Sequence, residues 1–146
     1  MKLVDANILL YAVNQESAHH QTVRACLEDA INGDEPVGMA WVVLLAFLRV
    51  STHPRAFARP LDADGAMGIM NAWLAHPNVR IIVEREQHGS ILRGLLAQTG
   101  TAGNVTTDAH LAALAIERGA VLMSCDTDFS RFRALRWENP LARAKG

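Results

Sequence analysis

The sequence predicts a three-layer α/β/α fold with a mainly parallel central sheet, on three observations. Short apolar runs of strand character alternate with longer stretches of helical periodicity. The run Ala120-Val121-Leu122-Met123 is continuously apolar, as a parallel strand covered on both faces must be. The chain has 146 residues, of which 50% are hydrophobic and only 20% charged, enough for one buried core and too apolar for disorder. A single domain over residues 1–146 is expected.

Taken in order, Lys2-Leu3-Val4 reads as a short strand that Asp5 ends, and Asn7 can cap the segment that follows. A helix is expected from about Ala18 to Ile31, with Val23, Leu27, Ala30 and Ile31 on one face, stopped by Asn32-Gly33-Asp34. Pro36 to Met39 reads as a second strand. Trp41 to Arg49 is apolar nearly all round, as a buried helix would be, and Thr52-His53-Pro54 breaks it. Asp62 can cap a helix from about Ala63 to Ala75, ending before His76-Pro77-Asn78. Its stripe of Met67, Met70, Trp73 and Leu74 is expected in the core, as is Trp41. Val79 to Val83 reads as a third strand, Gln87 to Gln98 as a helix, and Gly100 to Gly103 as a loop. Thr106 or Thr107 is expected to cap a helix from Asp108 to Arg118, which Gly119 stops. Ala120 to Met123 is the clearest strand, and Leu135 to Trp137 carries a weak signal for a last one.

Composition narrows the function classes. No apolar run reaches the roughly 20 residues that a membrane helix needs. The start, Met1-Lys2-Leu3-Val4-Asp5, puts an acid where a signal peptide keeps its apolar region, so no export signal is read and a cytoplasmic protein is expected. Cys26 and Cys125 are too few for a disulfide framework and are expected to be small buried apolar residues. A formal net charge of −1 gives no whole-molecule attraction to nucleic acid, so any RNA contact needs a local patch. Twelve of the 14 basic residues are arginine, whose fork suits phosphate. Two groups qualify: Arg49, Arg55 and Arg59, and Arg131, Arg133 and Arg136. The histidines show no metal-binding pattern, and His110 is expected in a surface or capping role.

Four aspartates carry the chemical signal. Asp5 and Asp126 both fall beyond the carboxyl ends of strands, where ligand sites form in parallel α/β sheets. Asp108 opens a helix, and Asp128 lies two residues past Asp126. Each has a plain structural reading: Asp5 and Asp108 as helix caps, Asp126-Thr127-Asp128 as an Asx turn. Their joint placement favours chemistry. Two full charges about 5 Å apart repel by roughly 3 kcal/mol at an effective dielectric near 20. A fold relieves that by raising a pKa or by binding a hard cation, and an all-oxygen set selects Mg²⁺ or Mn²⁺ over zinc. Such an ion polarises a phosphodiester and activates an attacking water. Asn7 and Thr127 could orient the ligands.

At these residues the chain resembles the PIN-domain ribonucleases, specifically the VapC toxins of bacterial VapBC toxin–antitoxin systems. The resemblance runs from Met1-Lys2-Leu3-Val4-Asp5-Ala6-Asn7-Ile8-Leu9-Leu10-Tyr11-Ala12 through Trp41–Arg49 and Thr52–Phe57. It continues in Thr107-Asp108-Ala109-His110-Leu111-Ala112-Ala113-Leu114-Ala115 and closes with Ser124-Cys125-Asp126-Thr127-Asp128-Phe129. It implies a PIN-like domain and a Mg²⁺- or Mn²⁺-dependent endoribonuclease that cuts RNA by a metal-activated water. It implies that Asp5, Asp108 and Asp126 carry the metal, with Asp128 adjacent. It also implies a VapB-type antitoxin that folds its C-terminal segment over the site, and commonly a toxin homodimer.

One departure stands out. PIN domains usually place a Glu on the helix after the second strand; the matching position here is Ala46, and residues 41 to 54 contain no acid. Two rivals follow. A phosphatase of the haloacid dehalogenase type would need an acid two residues after Asp5, where Asn7 stands. A catalytically weak PIN module would keep antitoxin or RNA binding without efficient cleavage, and Ala46 is its motivation.

Overall fold

A computed structural model describes residues 1–143; the expected domain runs three residues beyond them. Its five strands are β1 (Lys2–Val4), β2 (Val37–Ala40), β3 (Val79–Ile82), β4 (Val121–Met123) and β5 (Arg136–Glu138). Its helices are α1 (Ala6–Val13), α2 (His20–Ile31), α3 (Trp41–Ser51), α4 (Ala63–Ala75), α5 (His88–Thr99), α6 (Thr106–Glu117) and α7 (Pro140–Arg143). The strands form one sheet in the order β3-β2-β1-β4-β5, and every neighbouring pair is parallel. Leu3, Val4, Met39, Leu122 and Met123 from the sheet and Ile8, Leu9, Leu44, Phe47 and Leu114 from the helices are all buried in one core.

The chain leaves β1 towards β2 and β3 on one side and returns to its other side as β4 and β5. The sheet therefore reverses its winding between β1 and β4, and a crevice opens beyond their carboxyl ends. Their register, Lys2 opposite Val121 and Val4 opposite Met123, sets residues 5 and 124 side by side.

Gly38 shows how tightly the sheet is packed. A Cβ there would lie 2.5 Å from Ile82 Cγ1 and 3.1 Å from Leu3 Cδ1. Ile82 is β-branched and 4% exposed, so it cannot swing aside. Gly38→Ala is expected to cost about 1–3 kcal/mol by overpacking, a fall in Tm of roughly 3–10 °C. Thermal unfolding checks this; an unshifted Tm would show that the β2–β3 face has slack.

Several expectations need correction. The segment after Asp5 is a two-turn helix, and its cap is Asp5 rather than Asn7: Asp5 Oδ1 accepts the Ala6 N–H at 2.7 Å. The helix carrying Asp108 begins at Thr106, capped by neither threonine, because a 3₁₀ turn over Gly103–Val105 runs directly into it. The helix at Trp41 is not buried all round, since Trp41 and Leu45 are exposed on one face. Trp73 does pack into the core, edge-on to Phe47 at 5.0 Å, and Met70 is buried, but Met67 is exposed. Cys26 and Cys125 are half-buried thiols rather than fully buried ones. The weak signal near residue 135 is a genuine edge strand, Arg136–Glu138.

Candidate active site

The crevice between β1 and β4 is organised by Ser124, which is fully buried. Its Oγ donates to Asp5 Oδ2 at 2.7 Å and accepts from the Asp126 N–H and Asn7 Nδ2, both at 3.1 Å. One donor and two acceptors exhaust a hydroxyl. Asn7 Nδ2 also donates to Asp5 Oδ2 at 3.1 Å, and Asn7 Oδ1 accepts the Cys125 N–H at 3.0 Å. The first residues of α1 are thus tied to the segment after β4. Asp126 caps the 3₁₀ turn Thr127–Arg131, its Oδ1 accepting the Asp128 N–H at 2.9 Å.

Electrostatics join Asp108 to this group. Its carboxyl is pushed up to about 6, chiefly by burial, then by the charges of Asp126 and Asp5 and in smaller part Asp128, with Arg131 opposing. Burial also raises the Asp5 carboxyl, against the lowering effect of its hydrogen bonds from Ser124, Ala6 and Asn7. The structure therefore brings Asp5, Asp126 and Asp128 into electrostatic reach of Asp108. The set is all oxygen, and its mutual repulsion is what a hard divalent cation would relieve, so the donor chemistry fits such an ion. The fit lies in charge and donor type: among the described residues no three His, Cys, Asp or Glu side chains are already closed into a metal-binding group. The helix α3 contributes no acid, in keeping with Ala46.

Two residue groups differ from expectation. The arginines of the C-terminal group do not act together. Arg131 lies against Asp128, whereas Arg136 is spent on the carbonyl of Gly119, at the other end of the sheet. In the other group Arg59 is 3.9 Å from Glu16. His110, expected at the surface, belongs to a chain of polar groups between α5 and α6. Glu117 Oε1 lies 3.3 Å from His88 Nδ1, His88 Nε2 lies 2.9 Å from His110 Nδ1, and His110 Nε2 lies 3.5 Å from Glu84 Oε1. Burial, and then His88, lower the His110 pKa.

Ser124 went unremarked in the sequence. The available signal was a small hydroxyl residue directly after a buried strand and two residues before an acid.

The family model for the PIN domain matches residues 2–135. The chain is 46% identical to ribonuclease VapC37 of Mycobacterium tuberculosis, over 97% of this chain and 99% of that protein. It is 40% identical to ribonuclease VapC33 of the same species, with the same coverage. In structure it is similar to the VapBC2 complex of Rickettsia felis, solved bound to a promoter DNA fragment (TM-score 0.70, 22% identity, 94% and 97% of the two chains). It is also similar to M. tuberculosis VapC20, described as a sarcin-ricin loop cleaving toxin (TM-score 0.68, 17% identity, 93% and 99%).

Proposed function

The chain belongs to the PIN-domain family, in its VapC group, and from that premise we propose that it is the ribonuclease toxin of a toxin–antitoxin system. It forms one domain and cuts RNA phosphodiester bonds internally, using Mg²⁺ or Mn²⁺ at Asp5, Asp108 and Asp126. The observation that carries this reading is the elevation of Asp108, by burial and then by Asp126 and Asp5 across the β1–β4 crevice. It marks a site where negative charge has been concentrated at a cost.

Bound there, a divalent ion would neutralise the cluster, polarise the scissile phosphate and activate a water. Asp5 offers a carboxylate whose orientation is fixed by Ser124 and Asn7. Asp108 offers one with no hydrogen-bond partner of its own among the described residues. Asp126 has Oδ2 left, since Oδ1 holds the Asp128 N–H. Asp128 flanks the three. A VapB-type antitoxin is the expected partner, and a homodimer and a cytoplasmic setting complete the proposal. No helix among the described residues is long and apolar enough to cross a membrane.

Ala46 and the open arrangement of the acids favour a second reading, a PIN module that binds antitoxin or RNA but cleaves poorly. One experiment separates the two. Antitoxin-free protein is incubated with total bacterial RNA in Mn²⁺ or EDTA, beside Asp5→Asn, which keeps the helix cap. Discrete cuts in Mn²⁺ alone, lost in the variant, support the nuclease. Cuts that survive in Asp5→Asn would remove the cluster from the chemistry. Calorimetric Mn²⁺ binding without any cuts would favour the module.

A further inference from the structure

We propose that Arg131 is the phosphate anchor of this site and that Asp128 serves to aim it, an inference that rests on the ribonuclease reading above. A cluster of acids repels the very strand it must cut, so the site needs a fixed cation facing the incoming phosphates. Arg131 is the one cation among the groups that perturb Asp108. It sits at the end of the 3₁₀ turn Thr127–Arg131, between Phe129 and Phe132, which are 1% and 2% exposed and anchor the turn in the core. Its Nε donates to the Asp128 carbonyl at 2.9 Å, and its Nη2 lies 3.3 Å from Asp128 Oδ2. One residue thus fixes the guanidinium by both its backbone and its side chain, along one edge. No hydrogen bond or ion pair among the described residues uses Nη1. A planar guanidinium held on one edge presents the other to a phosphate oxygen, the geometry in which arginine outperforms lysine.

The other arginines of this group are not so placed. Arg136 is engaged with Gly119, and Arg133 has no hydrogen bond or ion pair among the described residues to aim it. Asp128, whose side chain is 61% exposed, accordingly acts as a positioning residue for Arg131 rather than as a further ion ligand.

The test measures binding of a labelled single-stranded RNA 20-mer of mixed sequence to the Asp108→Asn protein, with and without Arg131→Gln, across a salt series. Arg131→Gln is expected to weaken binding roughly tenfold near 0.1 M salt and to lower the slope of log affinity against log salt by about one. Arg131→Lys should restore the slope but not the full affinity, and Arg133→Gln should change both less. Mn²⁺ titrations of the otherwise unsubstituted protein and its Arg131→Gln variant should show affinity kept or tightened, since a competing cation is gone. Unchanged RNA affinity and slope in Arg131→Gln would overturn the anchor alone. Loss of Mn²⁺ binding along with RNA binding would make Arg131 a structural residue and also overturn it. Failure of the parent Asp108→Asn protein to bind RNA would overturn the ribonuclease reading and the anchor with it.

Discussion

Asp108→Asn is expected to lower RNA cleavage by on the order of 10³-fold while making the metal-free protein more stable. The two effects share one cause. Folding partly buries Asp108 and brings it to the other acids, so its carboxyl titrates at about 6 instead of the ordinary 3.8. Between those values the folded chain binds more protons than the unfolded one, and stability falls as pH rises. The contribution of this group is intact below pH about 3.8 and gone above pH about 6. A shift of that size corresponds to about 3 kcal/mol at most; solvent screening of a partly exposed group leaves roughly 1 kcal/mol. The amide variant escapes this cost. In EDTA at pH 7.5 its Tm should exceed wild type by about 3 °C, and at pH 4.5 the gap should narrow. Mn²⁺ should reverse the order, because it stabilises only the protein that binds it. In the metal-free protein Asp108 takes up a proton as pH falls through about 6, so Mn²⁺ binding should weaken there. Equal Mn²⁺ stabilisation of both proteins would take Asp108 out of the metal site.

Ser124→Ala carries the second large effect. The Ser124 hydroxyl touches Asp5, Asn7 and the Asp126 backbone together. Without it the Asp126 N–H loses its acceptor in a partly buried place, at about 1–3 kcal/mol at most. Asp5 loses the strongest of the hydrogen bonds that hold its pKa down, so its carboxyl rises further. Orienting partners of metal ligands typically matter 10- to 100-fold in metal affinity or activity, and a loss in that range is expected. The acid limb of the pH profile of Mn²⁺ binding should also move to higher pH. A destabilised variant with full activity and an unmoved profile would reduce Ser124 to a packing residue.

Much of the molecule was legible from the sequence because it depends on local patterns. The run Ala120–Met123 announced a covered strand, and Asp62 announced the start of α4, whose Gly65 N–H it caps at 2.7 Å. The placement of acids after strands led to a cluster that the electrostatics of Asp108 now join. What escaped depends on contacts between distant residues. Nothing near His110 reveals that His88, 22 positions earlier, will meet its ring at 2.9 Å. Nothing near Arg136 reveals that it will turn to Gly119 while Arg131 stays at the crevice. Asp5 looked like a residue that either caps or catalyses. It caps with Oδ1 and faces Ser124 and Asn7 with Oδ2, so the two readings were never exclusive.

The pairing of β1 with β4 has a consequence for how the protein comes into being. Residues 5 and 7 supply one wall of the crevice and residues 108–131 the other, and more than a hundred residues of chain separate them. A ribosome making this chain exposes the first wall long before the second exists. Until Asp126 has emerged, no nascent chain carries the assembled acids, however well its early helices have formed. With the site proposed above, activity arrives all at once, only after residue 126 has emerged. Separated in the loop before α6, the two pieces should each be inert, and cleavage should return only on their reunion.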